Sequence, residues 1–220
     1  MEARKIWFGV AVVAVLVAYG VVARRAEDFM TTFHQTVRAQ TEALRGQTRH
    51  LGQALEIVGK GQRLEQQGNV AAALEQYKQA VALQPRFPYG RALLGSAYHR
   101  LWQDEKAMDQ YQLALQDSPQ HFMVHYFIGQ LYREQRRYEE AIKKFQELIA
   151  MKENWYKGNK TLGYTQYQQL AYIDLGYCYA QMGDTQHARE AYERYLALNP
   201  SSDYRNVVER YIEQLGNPTP

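Results

Sequence analysis

The segment AAALEQYKQAVALQP, residues 71–85, decides the fold, because closely related phrases return further along the chain. KAMDQYQLALQDSP occupies residues 106–119, and HAREAYERYLALNP occupies residues 187–200. The first two phrases end at Pro85 and Pro119, and the separation of these two prolines gives the period of the repeat. A fixed period of this length indicates an array in which each repeat is one supersecondary unit.

Aligning the phrases places three columns of residues in register across four units. The columns are Gly61, Gly95, Gly129 and Gly176; Ala73, Ala107, Ala141 and Ala188; and Tyr77, Tyr111, Phe145 and Tyr192. This pattern resembles the tetratricopeptide repeat (TPR) family, which combines the same period with small and aromatic landmarks. The resemblance implies a right-handed solenoid of helical hairpins that binds other proteins.

The residue types favour the same architecture without the family. In YGRALLGSAYHRL, residues 89–101, Ala92, Gly95 and Tyr98 recur at helical spacing, and the following segment repeats the pattern. Small residues allow two helices to approach closely, and aromatic rings fill the space beside them. One such hairpin cannot bury its own apolar face, so the hairpins must stack.

The sequence therefore predicts an all-α chain with four parts. These are a transmembrane anchor at 1–25, a helical stalk at 26–53, a TPR array at 54–200, and a capping helix with a tail at 201–220. The four hairpins of the array span 54–87, 88–121, 122–155 and 169–202, and an insert occupies 156–168.

Three positions depart from the repeat pattern. Trp102 stands where the turn glycine is expected, so we expect a locally different turn in the second unit. The third unit has Tyr138 in its turn and Glu153 in the column of the closing proline. The insert contains two glycines and Asn159, which indicate a loop whose last residues extend the following helix.

The N-terminal segment predicts a membrane span. Residues 6–23, IWFGVAVVAVLVAYGVVA, carry no charge and are flanked by basic residues on both sides. About 18 helical residues reach roughly 27 Å, close to the hydrocarbon thickness of a bilayer. A cleaved secretory signal is the alternative. We expect a single-pass protein of the bacterial inner membrane that contacts lipid through 6–23, with the repeats facing the periplasm or, alternatively, the cytoplasm.

The stalk shows a seven-residue apolar period, at Met30, Val37, Leu44, Leu51 and Val58. The accompanying positions of a coiled-coil seam include Gln40 and Gln47, which weaken such a seam. The segment therefore predicts either a solvated helix that packs on the first repeat or a helix with weak self-association.

The resemblance also implies a binding groove, lined by the first helix of each hairpin. The residues carried over to this chain are Tyr89, His99, Arg100, Met123, Tyr126, Arg133, Ile173 and Tyr177. Tyrosine and arginine dominate binding hot spots, and methionine adapts to irregular partners. Such a groove would suit a peptide with apolar anchors and an acidic residue near the two arginines.

Other functional classes have little support in the sequence. The 26 basic and 23 acidic residues are too evenly balanced for a nucleic-acid binder. His121 and His125 lie four residues apart but lack the glutamate of a metalloprotease motif, and Cys178 resembles a buried apolar residue. We therefore expect no catalytic residue, no metal site and no cofactor.

The functional expectation is a membrane-anchored TPR scaffold or adaptor. It would hold partner proteins during the assembly or maturation of a membrane or exported complex. The alternative is a permanent accessory subunit of a membrane protein complex.

Overall fold

The computed structural model describes the backbone of residues 2–151, 162–199 and 203–216, and the side chains of 30–151, 166–199 and 203–216. Every regular element in these ranges is a helix. The helices are α1 (Glu2–Gln66), α2 (Val70–Leu83), α3 (Pro88–Arg100), α4 (Asp104–Asp117), α5 (Phe122–Glu134), α6 (Tyr138–Ala150), α7 (Leu162–Gln181), α8 (Thr185–Leu198) and α9 (Arg205–Gly216).

The chain divides into two compact units, residues 1–52 and 53–220. In the first unit, α1 exposes an apolar stripe that includes Met30, Phe33, Val37, Leu44 and Leu51. In the second unit, Ala54 and Val58, near the end of α1, are buried in the hydrophobic core of the repeats.

The predicted localisation requires a correction. Among the helices of the described residues, none is long and apolar enough to cross a membrane, which contradicts the prediction of a single-pass membrane protein. In the part of α1 whose side chains are described, Arg38, Glu42, Arg45 and Arg49 lie beside the apolar stripe, so that part contains no long uncharged run. Charged side chains are costly at the centre of a bilayer. Residues 6–23, on which the prediction rested, lie outside the residues whose side chains are described.

Close contact between a glycine and an aromatic ring joins the two helices of each hairpin. A Cβ atom on Gly61, Gly95, Gly129 or Gly176 would lie 2.4–2.5 Å from the ring of Tyr77, Tyr111, Phe145 or Tyr192, respectively. All four rings are buried, as are the four column alanines. The predicted columns are thus the contact surface between paired helices, and this contact requires a residue without a side chain.

Consecutive hairpins stack through both of their helices. Helices α3 and α5 contact each other, and so do α5 and α7, whereas each second helix packs mainly against its own partner and the next first helix. The first helices therefore lie side by side and form one continuous face of the array. Helix α9 packs against α8 and buries Val208.

The turns within the hairpins share one backbone conformation. Gly68 and Gly183 have φ angles of 80° and 79°, and Trp102 and Arg136 occupy the same turn position with φ of 59°. The expectation of a different turn at Trp102 is therefore wrong, because the tryptophan adopts the left-handed conformation that glycine adopts elsewhere. Tyr138 is not in the turn of the third unit but begins α6.

This shared conformation gives a first prediction. Replacing Arg136 by glycine is expected to raise the free energy of unfolding by about 0.5–1 kcal/mol, because the left-handed region is strained for a residue with a Cβ atom. Gly68→Ala is the matched opposite change and should lower it by a similar amount. Urea unfolding of both variants measures the two changes in the free energy of unfolding. If both changes have the same sign, the two positions do not share the left-handed turn conformation.

The structure agrees with the predictions for the start of α2 and for the end of the insert. Asn69 caps α2 by accepting a hydrogen bond from the Ala72 amide at 3.1 Å, as its position before the helix predicts. Helix α7 begins at Leu162, so the end of the insert lengthens this helix. Residues 152–161 of the chain, which contain the rest of the insert and Glu153, lie outside the described residues.

Candidate functional site: the face of the first helices

The predicted groove residues all lie on first helices, but they differ in accessibility. Arg100 and Tyr177 are exposed, whereas Met123 and Tyr126 are buried at 6% exposure. The Tyr126 hydroxyl accepts a hydrogen bond from the Gln130 amide at 3.0 Å. Met123 and Tyr126 therefore offer a partner little surface and act mainly in packing.

Tyr89, His99, Arg133 and Ile173 are partly buried on the same face. The Tyr89 hydroxyl accepts a hydrogen bond at 2.9 Å from Gln62 of the preceding first helix. This hydrogen bond joins neighbouring first helices and holds the Tyr89 side chain in one orientation.

Ion pairs between consecutive first helices cross the groove. Arg100 contacts Glu65 of α1 at 2.5 Å, and His99 Nε2 lies 3.1 Å from Glu134 of α5. Arg133 of α5 pairs with Asp174 of α7. The positive charges predicted to attract an acidic peptide are therefore already paired within the chain, and sequence reasoning missed their carboxylate partners. Each partner comes from a neighbouring hairpin, so only helix packing reveals it.

His99 has a carboxylate on each side. Its Nδ1 atom lies 2.8 Å from Asp104, and its Nε2 atom lies 3.1 Å from Glu134. The ring of His99 therefore bridges a carboxylate of the second hairpin and a carboxylate of the third.

Asp174 is the most deeply buried charged group of the groove. It is 6% exposed, and its Oδ2 atom has no hydrogen-bond partner among the described residues. Burial raises the pKa of this carboxyl, and the Arg133 guanidinium opposes the rise. Arg133 also lies 5.8 Å above the ring of Tyr177, so one arginine organises both the buried acid and an exposed aromatic ring.

Two clefts open between first helices. The cleft between α3 and α5 has a volume of about 350 Å³ and is lined by Ser96, His99, Trp102, Tyr111, Phe127 and Gln130, among others. The cleft between α5 and α7 measures about 370 Å³ and is lined by Arg133, Arg136, Tyr138, Ile173, Asp174 and Tyr177, among others. We name them the α3–α5 cleft and the α5–α7 cleft.

A third cleft, of about 310 Å³, lies where α9 meets α7 and has mainly apolar walls that include Leu170, Ile173, Tyr204 and Val207. Tyr204 and Tyr211 are exposed there. The face of the first helices thus continues onto the last helix and carries accessible aromatic rings along it.

The histidine pair predicted as a weak metal candidate has structural partners. His125 is buried, with Nδ1 at 3.1 Å from Glu147 and Nε2 at 2.9 Å from the Pro119 carbonyl. Within the described residues, no group of three or more potential ligands surrounds a common point. Cys178 is fully buried, and burial raises the pKa of its thiol to about 12, so the thiol stays protonated.

His121 gives a pH-dependence prediction. Burial, together with the neighbouring His125, lowers its pKa to about 4 in the folded chain. The unfolded chain takes up this proton near pH 6.5 and the folded chain only near pH 4, so the contribution of His121 is lost as pH falls through this window. We expect a loss of about 2–3 kcal/mol from this group.

Urea unfolding at pH 7 and pH 4.5 measures the effect, with His121→Gln as the control. The variant keeps His125 and the other titratable groups, so the two proteins should differ in how steeply stability declines. An equal decline in both would contradict the role of His121.

Comparisons with known proteins agree with this architecture. A model described as TPR repeat matches residues 61–101, and one described as tetratricopeptide repeat matches 122–155 and 169–202. The chain therefore carries tetratricopeptide repeats, which in general form scaffolds for protein interaction. A search of curated proteins found no match.

Solved structures show the same fold. The PilF structure of Pseudomonas aeruginosa has a TM-score of 0.63 and 22% identity, covering 77% of this chain and 69% of that chain. A structure of PilW, described as a widely conserved type IV pilus biogenesis factor, has a TM-score of 0.60 and 18% identity, covering 74% and 71%. A thermophilic TPR protein of Thermus thermophilus has a TM-score of 0.59 and 21% identity, covering 72% and 79%.

Proposed function

We propose that this chain is an adaptor that holds a partner protein on the face of its first helices during assembly or maturation of a membrane or exported complex. The observation that carries the proposal is the open face along α3, α5, α7 and α9, with two clefts of about 350 and 370 Å³ and exposed aromatic rings beside them. Aromatic and arginine side chains in such clefts are the usual anchors of protein interfaces.

The comparisons support the assembly role indirectly. PilW, one of the solved structures with this fold, is described as a pilus biogenesis factor. Because its identity to this chain is 18%, the likeness concerns the fold, and the assembly role is carried to this chain as part of the proposal.

Crosslinking in the native cell tests the proposal. Tyr177→Ser combined with Tyr211→Ser removes exposed aromatic surface beside the α5–α7 cleft, and Leu113→Ser, on α4, is the control. Tyr177, Tyr211 and Leu113 are 39%, 38% and 38% exposed, so each change is made at a comparably exposed position. We expect crosslinked partners to disappear in the double variant and to persist in the control. Equal crosslinking in both would overturn the proposal.

A permanent accessory subunit is the second candidate, and the exposed stripe of α1 favours it. Met30, Phe33, Val37, Leu44 and Leu51 are exposed along one helix with a spacing near seven. Such a stripe is buried when another helix packs on it. The same experiment tests this role with a further variant in which Val37 and Leu44 become serine. The role is supported if one or two stoichiometric partners remain in the double variant but are lost in this one.

A further inference from the structure

The two clefts occupy the same position in consecutive repeats. Moving one repeat along the array, His99, Arg100 and Trp102 of the α3–α5 cleft become Arg133, Glu134 and Arg136 of the α5–α7 cleft. Phe127 and Gln130, on the opposite wall, become Asp174 and Tyr177. The two clefts are therefore copies of one site with different side chains.

The residue at the rim of each cleft is unusual in its backbone. Trp102 and Arg136 have positive φ angles, and among the described residues they are the two that do so without being glycine. Glycine occupies the equivalent position in the first and fourth hairpins. A large side chain in this conformation costs stability, and such strain points to a function.

Both rim side chains are accessible. Trp102 is 86% exposed, so packing within the chain does not account for this large apolar residue. Arg136 is exposed, and no described carboxylate forms an ion pair with it, whereas the next residue, Arg137, pairs with Glu140. One rim is thus aromatic, and the other carries a cation that is available to an acidic partner.

A second observation concerns the Tyr111 hydroxyl at the base of the α3–α5 cleft. Tyr111 lines the cleft, its ring is fully buried, and its hydroxyl has no hydrogen-bond partner among the described residues. A buried hydroxyl without a partner is unfavourable, so a ligand acceptor that reaches it would be stabilised. The α5–α7 cleft has no such hydroxyl at this place, because Phe145 holds the equivalent position in the third hairpin.

We propose that the rims of the two clefts bind a segment of a partner protein in the polyproline II conformation that carries an aromatic side chain and, about three residues away, an acidic side chain. The aromatic residue stacks on Trp102 and enters the α3–α5 cleft, and the acidic residue pairs with Arg136. Packed helices lie about 8–10 Å apart, and three residues of a polyproline II segment advance about 9 Å and return the side chain to the same face, which sets the separation. The inference names the ligand of the proposed adaptor and so rests on that function.

Selection from a displayed library of short random peptides, on the purified full chain, tests the inference. We expect enrichment of peptides that combine an aromatic and an acidic residue at this separation. Synthetic copies should bind Trp102→Ala and Arg136→Glu at least tenfold more weakly than the unchanged chain. Exchanging the acidic residue of the peptide for lysine should restore binding to Arg136→Glu.

Arg189→Glu on α8 has the same charge change at a distant exposed position and should bind as the unchanged chain does. No enriched peptide, or enriched peptides that bind both rim variants with unchanged affinity, would overturn the inference. If those peptides, or the cellular crosslinks, are instead lost with Tyr177→Ser and Tyr211→Ser, the adaptor function stands and only the rim site falls.

Discussion

Replacing Phe145 by alanine is expected to lower the free energy of unfolding by about 3–5 kcal/mol, because it empties the space between the helices of the third hairpin. The ring is fully buried, and its Cε1 atom occupies a point 2.5 Å from where a Cβ atom of Gly129 would lie. Loss of this ring removes the main apolar contact between α5 and α6. Urea denaturation of the purified chain measures the change.

A second substitution distinguishes the effect of the close contact between Gly129 and the Phe145 ring from the effect of losing apolar area. Gly129→Ala alone should destabilise the hairpin by about 1–3 kcal/mol, since the new methyl group overlaps the ring. In the Phe145→Leu background the overlap is smaller, so the same substitution should cost less or stabilise the helix. If the cost of Gly129→Ala is the same in both backgrounds, the glycine does not serve the contact with the ring.

Replacing Arg133 by methionine is the other change with a large expected effect, about 3–5 kcal/mol at pH 7. Asp174 is buried, and Arg133 is its ion-pair partner. Burial already raises the pKa of this carboxyl, and removal of the guanidinium takes away the largest effect that opposes this rise. The folded variant then holds a proton that the unfolded chain releases, so its loss of stability relative to the unchanged chain should become smaller as pH falls from 7 towards 4.

Two controls accompany this prediction. Arg137→Met removes an exposed arginine that pairs with Glu140, and it should leave stability nearly unchanged. Adding Asp174→Leu to Arg133→Met removes the unpaired carboxyl and should recover most of the loss. A pH-independent loss in the single variant, or no recovery in the double variant, would show that the pair does not act as described.

Both predictions bear on the adaptor as well as on stability. Arg133 lies above Tyr177 and next to the α5–α7 cleft, so its loss would disturb the binding face through folding. Variants that test binding should therefore change exposed residues such as Trp102, Arg136 and Tyr177. Tyr126 and Arg133 remain predicted groove residues, but Tyr126 is buried and Arg133 pairs with Asp174, so substitutions there would change stability together with binding.

The sequence by itself determined the all-helical repeat architecture. The constant repeat period, the glycine, alanine and aromatic columns, and the capping Asn69 encode helices and hairpins through contacts that are local in the chain. These contacts can be predicted from the sequence because the residues that touch within each hairpin recur at a constant spacing. The glycine column that contains Gly61 and the aromatic column that contains Tyr77 both follow from this spacing, and the structure shows that they contact each other.

Only the tertiary structure decided what the binding face presents to a partner. Arg100 and Arg133 appear in the sequence as free cations, yet Glu65 and Asp174 from neighbouring hairpins pair with them. The left-handed turn at Trp102 was also hidden, because the sequence pattern expects glycine there. These features depend on how successive hairpins pack against each other. Packing brings together residues that are far apart in the chain, and the insert at 156–168 changes their spacing further, so no sequence pattern indicates which residues pair.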